Sequence, residues 1–173
     1  IGGALRECLV AGSLCNDASL AKAGHHWTIT GDPTEAALLV VARKGGLDEH
    51  TLQALFPRQD ELPFDAGRQY MATAHASDGE RIVYVNGALE RLLPRCRDQL
   101  SAAGQPEAID RFGIEAVAEA LAGQGMRVLL LARRIAPPES SLTDDSLREL
   151  TLIGLAGMID PPRKAAISAI RNC

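Results

Sequence analysis

With 173 residues, 46% of them hydrophobic and 23% charged, the chain has enough apolar material for one well-buried core, or one core plus a small appendage. A net charge of −4 speaks against nucleic acid or an anionic membrane surface as a partner. Four cysteines (Cys8, Cys15, Cys96, Cys173) show neither a CxxC pair nor Cys/His ligand spacing, which argues for reduced thiols and against a structural metal.

Residues 4–15 read as a helix with Leu5, Cys8 and Leu9 on one face, ending near Asn16-Asp17. Arg6 and Glu7 interrupt this early apolar run, so no signal peptide is expected. A polar loop with Gly24, in which His25-His26 reads as a solvated turn, leads to a short strand, "WTIT" (27–30). In "GDPTEAALLVVARKGG", Asp32 suits an N-cap, Pro33 the first turn and Gly45-Gly46 the stop. Glu35, three residues after Asp32, suits a capping box. A short helix over 48–56 is followed by three strands, near 58–63, 68–76 and 80–86, the last two joined by the turn "SDGE". A helix over 88–94 ends at Pro94, and a polar stretch with Gly104 and Pro106 precedes a helix over 108–123. "MRVLLLARR" (126–134) and "LTLIGLAGMID" (150–160) read as strands separated by a polar loop, and a helix begins near Arg163.

Helices interspersed among strands without a strict βαβ repeat predict an α+β fold, with a largely antiparallel sheet flanked by helices. The longest apolar runs, near 128–132 and 150–159, fall short of the roughly 20 residues of a membrane span. The piece is therefore expected to be soluble and not to insert in a bilayer. Both ends look cut through helices, as in an excised domain. Neither GxGxxG, GxxxxGK[ST] nor GxSxG occurs, so the common phosphate loops and the nucleophile elbow are missing.

Five segments in order carry more: "CND" (15–17), "GDPTEAALL" (31–39), "LPFDAGRQYM" (62–71), "NGALERLL" (86–93) with "MRVLLLA" (126–132), and "GMIDPPR" (157–163). The series resembles the nucleotide-binding domain of P-type cation-transporting ATPases, most closely the calcium-pump-like branch, over nearly the whole chain. The resemblance implies that fold for residues 1–160, with 161–173 as the hinge and the start of the return into a phosphorylation domain. It implies a cytoplasmic domain of an integral membrane protein, of the bacterial inner membrane by its arginine and alanine bias, working with the phosphorylation and actuator domains of the same parent chain. It implies ATP, as Mg-ATP, as the ligand, with the adenine held here and the γ-phosphate presented to an aspartate in a DKTGT motif that this sequence lacks. Alone, the chain should bind ATP without turning it over. The transported cation, calcium by branch resemblance, is chosen by ligands outside this sequence.

Carried over residue by residue, the resemblance makes Phe64 the ring that stacks on adenine and Glu35 the acceptor of the adenine amino group. Met71 and Leu129 become apolar lining, Arg127 the cation reaching the phosphates, and Gly87 a close-approach position beside the base. Asn86 and Gln69 stand where relatives carry lysines, and Ala66 where some carry arginine. Arg68 is a replacement cation only if strand alternation allows it. These departures predict weak, stacking-dominated binding. They also motivate a second reading, a same-fold domain that has lost useful nucleotide affinity and acts as a regulatory or interaction module. Asp160, Pro161, Pro162 and Arg163 match the family's hinge, where two prolines stiffen an extended connector.

Overall fold

A computed structural model of the chain describes residues 2–24 and 26–159. Helix α1 (Gly3–Leu14) is followed by a small antiparallel pair, β1 (Ser19–Ala23) and β2 (His26–Thr30), and by helices α2 (Pro33–Lys44) and α3 (Glu49–Leu55). A hairpin ladder then begins with β3 (Arg58–Asp65), β4 (Tyr70–Ser77) and β5 (Glu80–Gly87). Helix α4 (Leu89–Leu92) continues into a 3-10 turn, Leu93–Arg95, then β6 (Cys96–Leu100), β7 (Pro106–Ala108) and α5 (Arg111–Ala122). Strand β8 (Arg127–Ala136), a loop with the 3-10 turn Asp144–Ser146, and β9 (Leu150–Met158) complete the described chain. The seven-stranded sheet runs β3-β4-β5-β8-β9-β6-β7, and β6 with β9 is its parallel pair. The expected α+β class and mostly antiparallel sheet hold.

Period-two alternation sends neighbouring strand residues to opposite faces, and each face has its own core. Met71, Ile82, Tyr84, Leu131 and Ile153 pack under α1 and α3, against Val10, Ala11, Leu14 and Leu52. Tyr70, Ala72, Val83, Val85, Leu130 and Leu150 pack on the other side, against Leu92, Leu93, Leu142 and Leu147. Polar ties lock the layers together. Glu7 of α1 accepts from Tyr84 (2.9 Å) and from Arg133 (2.6 Å), and on the far side Asp144 accepts from Tyr70 and Arg95.

Local signals placed the hairpin and α2 well. Asp78 (φ 46°) and Gly79 (φ 82°) give the two left-handed residues that a tight hairpin turn requires. Asp32 caps α2 by accepting from the amides of Thr34 (2.7 Å) and Glu35 (3.4 Å). Elsewhere the structure corrects the reading. Leu5 is 59% exposed, because the buried run of α1 is its C-terminal half, Leu9 to Leu14, wedged between the sheet and α2. Residues 19–23, read as loop, form β1. Residues 96–108 hold β6 and β7, hidden because only Cys96 and Leu100 of β6 are buried and β7 is an exposed edge. Helix α5 accordingly starts at Arg111, capped by Asp110 accepting from Gly113 (3.0 Å). His26 opens β2 rather than lying in a turn, and is exposed. The expected hinge, Asp160 to Arg163, the helix after it and the domain boundary at 160 lie outside the described residues.

Candidate functional site

Helix α1 ends against the sheet at the point where α2 begins, and Glu35, Asn86 and Arg127 of the expected site residues make contacts there. An α-helix leaves its last carbonyls without intrahelical partners. Here the sheet supplies the donors: Asn86 Nδ2 reaches the Cys15 carbonyl (2.7 Å), and Arg58 Nη2 reaches those of Leu14 (3.1 Å) and Asn16 (2.5 Å). Asn16 itself bridges the two helices, donating from Nδ2 to the carbonyls of Gly12 (2.9 Å) and Glu35 (2.8 Å). Its Oδ1 accepts from the amide of Ala18 (2.9 Å).

Glu35 does not reach back to the Asp32 amide, as a capping box would require. Its Oε2 accepts from the amide of Asp17 instead (3.0 Å). Burial first, then the nearby charges of Asp17 and Asp32, push its carboxyl above the usual carboxylate range, against the pull of the Asp17 amide. One residue earlier, the Thr34 hydroxyl accepts from Arg127 Nη1 (2.8 Å), so a cation from β8 lies at the first turn of α2. Sequence separation of 93 residues is closed by this one contact.

On the same face of the sheet, Asn86 lies in register between Met71 of β4 and Leu131 of β8. Leu129 and Arg127 continue that face along β8. Asn86 is 5% and Met71 2% exposed, whereas Leu129 is half-buried and Arg127 exposed. Met71 therefore belongs to the core beneath the site. Phe64, near the end of β3, leaves 59% of its surface exposed and is not a core residue.

Arg68 and Gln69 lie in the β3–β4 turn and not in a strand, so strand alternation does not govern them. Asp65 organises that turn, its Oδ1 accepting from the amides of Gly67 (2.9 Å) and Arg68 (3.0 Å). Arg68 Nη2 donates to the Pro63 carbonyl (2.7 Å). Gln69 takes a left-handed φ of 65°, and its Oε1 accepts from Arg91 Nε (2.9 Å). Ala66 is exposed in the same turn.

Gly87 points away from Asn86, toward Tyr70. A Cβ built there would lie 2.3 Å from the Tyr70 Cβ and 2.4 Å from the Gln69 carbonyl oxygen. The chain's own packing is thus a sufficient reason for glycine, without any ligand. Gly87→Ala is expected to cost about 1–3 kcal/mol of stability by overpacking. Urea unfolding without nucleotide measures this directly, and an unchanged midpoint would mean that Tyr70 can yield.

Asn16, Asp17, Thr34 and Arg58 complete the arrangement, and sequence reasoning assigned none of them a role. "CND" marked the first two by position alone. Nothing in local spacing could pair Arg58 with Asp17, 41 residues away. A separate enclosed space of about 20 Å³, lined by Arg81, Ser140 and Leu142 on the opposite face, is water-sized and too small for a nucleotide.

Comparison with known proteins places the chain in a family. The family model for the cytoplasmic domain N of P-type ATPases matches residues 4–165. A cation-transporting ATPase of Synechocystis is 46% identical over 171 residues, covering 98% of this chain and 19% of that protein. A probable cation-transporting ATPase F of Mycobacterium tuberculosis is 40% identical over 172 residues, and a calcium-transporting ATPase of Bacillus subtilis 34% over 175, with the same two coverages. The fold and these matches define a P-type ATPase cytoplasmic domain. The chain belongs to the N-domain family of the cation-transporting ATPases. It spans about a fifth of the length of the curated relatives it matches. Among the described residues, no helix is long and apolar enough to cross a membrane.

Proposed function

We propose that the chain holds ATP for a P-type cation pump and presents the γ-phosphate to an aspartate of a phosphorylation domain that this sequence does not include. The observation that carries this is the meeting of Glu35 and the Arg127–Thr34 contact in the first turn of α2. Glu35 offers a carboxylate with one oxygen taken by the Asp17 amide, and Arg127 brings a guanidinium to the neighbouring Thr34: the first is an acceptor for an amino group, the second a charge to neutralise phosphates. Phe64 supplies an exposed ring for stacking. Leu129 of β8 and Met71 of β4, on one face of the sheet, supply the apolar floor, and Gly87 sets how closely β5 approaches the turn at Gln69.

Asn86 and Gln69, in place of lysines, have their side chains engaged with Cys15 and Arg91. They contribute no cation, so the affinity rests on stacking, Glu35 and Arg127. Among the described residues no cluster of three or more His, Cys, Asp or Glu is arranged to hold a metal, and Mg²⁺ enters this reading on the triphosphate itself. Asp160, Pro161, Pro162 and Arg163 act as the hinge toward the phosphorylation domain, so that closure carries ATP to its acceptor. Cation transport, with calcium as the leading candidate, belongs to the parent chain. Its names in the relatives and the match to this N domain support that assignment.

Titration with ATP, followed by backbone amide shifts, tests the reading. Saturating shifts at Glu35, Phe64, Asn86-Gly87 and Arg127 are expected, and their absence at millimolar ATP would leave a non-binding interaction module. Glu35→Gln gives a sharper result. Because the folded pKa of Glu35 lies above its ordinary value, its ionised form opposes folding at neutral pH, and that opposition lifts as pH falls through the folded value. The glutamine keeps an acceptor for the Asp17 amide without the charge. We expect thermal stability to hold or rise while ATP affinity falls at least about tenfold, the loss of one charge-assisted bond. Equal ATP affinities would remove Glu35 from the site.

A further inference from the structure

The carboxylate of Glu35 is useful only if it faces its ligand in one orientation, and the structure shows what orients it. Its Oε2 accepts from the amide of the Asn16–Asp17 peptide group (3.0 Å). A trans peptide is a rigid plane with its carbonyl and its N–H pointing in opposite directions. Holding the carbonyl therefore aims the N–H. The carbonyl of that same peptide, on Asn16, accepts from Arg58 Nη2 at 2.5 Å. The other arm of the guanidinium, Nη1, donates to Asp17 Oδ1 (2.7 Å) and to Glu61 Oε2 (2.9 Å). Arg58 thus grips the 16–17 segment at two points, on the peptide plane and on the side chain beyond it. Charge at the carbonyl also polarises the peptide and strengthens its N–H as a donor.

We propose that Arg58 is a positioning residue for nucleotide recognition. Through the Asn16–Asp17 peptide it fixes the Glu35 carboxylate so that Oε1 is the oxygen offered to the adenine amino group. This rests on the ATP-binding reading above. The side chain is 30% exposed at the start of β3, and both of its terminal nitrogens are engaged with Leu14, Asn16, Asp17 and Glu61, so it acts on the nucleotide through Glu35. A lysine cannot replace it. One ammonium presents no planar fork and cannot hold the Asn16 carbonyl and the Asp17 carboxylate in that shared geometry.

The test compares ATP with inosine triphosphate, which has an oxo group where adenine has its amino group. Dissociation constants of both are measured calorimetrically for the 173-residue chain and for Arg58→Gln, Arg58→Lys and Asp17→Asn, each checked by thermal melting. The unmodified chain is expected to prefer ATP. In Arg58→Gln, ATP affinity should fall about tenfold and inosine triphosphate affinity less than about threefold, so the preference collapses. Arg58→Lys should melt near the unmodified chain and still lose most of the preference, which a merely structural arginine would not do. Asp17→Asn, which keeps the amide but loosens the grip, should lie between the two and serves if Arg58→Gln does not fold. An ATP preference that survives in the folded variants, or equal losses for both nucleotides, would overturn the positioning role. An unmodified chain that binds both nucleotides alike would overturn the Glu35 contact itself, and the proposal with it.

Discussion

Phe64→Ala should weaken ATP binding about thirtyfold, because a base stacked on an aromatic face is worth roughly 1–3 kcal/mol. Thirtyfold is the middle of that range, about 2 kcal/mol. Stability separates this effect from a packing effect. The ring is 59% exposed, so its removal should change unfolding free energy by no more than about 0.5 kcal/mol, as for an ordinary surface site. A core phenylalanine would instead cost about 3–5 kcal/mol on truncation. Phe64→Trp should keep most of the affinity, because it keeps a face to stack on. Calorimetric titration and urea unfolding on the same samples decide the matter. Unchanged ATP affinity in Phe64→Ala would remove stacking from the account, and a large fall in stability would make Phe64 a packing residue.

The second large effect is loss of stability in mild acid, and it lies with His75. The residue is 1% exposed, with Nδ1 against the Phe56 carbonyl (2.9 Å) and Nε2 against the Thr73 hydroxyl (2.8 Å). A neutral ring protonated on Nδ1 satisfies both: it donates to Phe56 and accepts from Thr73. Burial, opposed by the Phe56 carbonyl and aided by the charge of Arg58, lowers the folded pKa to about 4. In the unfolded chain the ring titrates near its ordinary 6.5. Between those two values the unfolded state takes up a proton that the folded state refuses, so stability falls as pH falls through this window. The loss should reach about 3 kcal/mol by pH 4. His75→Gln, which can still donate and accept, should show a much flatter profile from pH 7 to 4. Parallel slopes for the two proteins would place the acid sensitivity elsewhere.

The two residues differ in how they could be foreseen. Phe64 follows Pro63 in a recognisable segment, and the resemblance gave it a stacking role from that position alone. His75 sits in an alternating run, "YMATAHAS", where a histidine gives no sign of its burial or of which nitrogen carries the proton. The partners that decide both, Phe56 and Thr73, come from the end of α3's connection and from the same strand. The mis-set elements have a similar cause. β6 exposes Arg97, and β7 is a three-residue edge, so their hydrogen bonds to neighbours make them strands while their own side chains say little.

Asn86 and Gly87 show where local reading stops. The resemblance makes Gly87 a close-approach position beside a base. What approaches is the chain itself: Tyr70 and the Gln69 carbonyl against Gly87, and the Cys15 carbonyl against Asn86. The choice of asparagine at that position follows from the end of α1, 71 residues earlier, which needs a donor.

Elements whose signals are carried by a few adjacent residues were determined by composition and order. The Asp32 cap, the Pro33 start, the Asp78-Gly79 turn, the α+β class and the ordered motifs that lead to the N-domain family all belong here, because caps, turns and periodicity act over one to four residues. The pairing of Arg127 with Thr34, the Arg58 grip on Asn16 and Asp17, the orientation of Glu35 and the neutral His75 were decided only by the tertiary fold. Each depends on a carbonyl, charge or amide delivered from a distant element, and side-chain chemistry at one position does not encode which partner the sheet will bring to it.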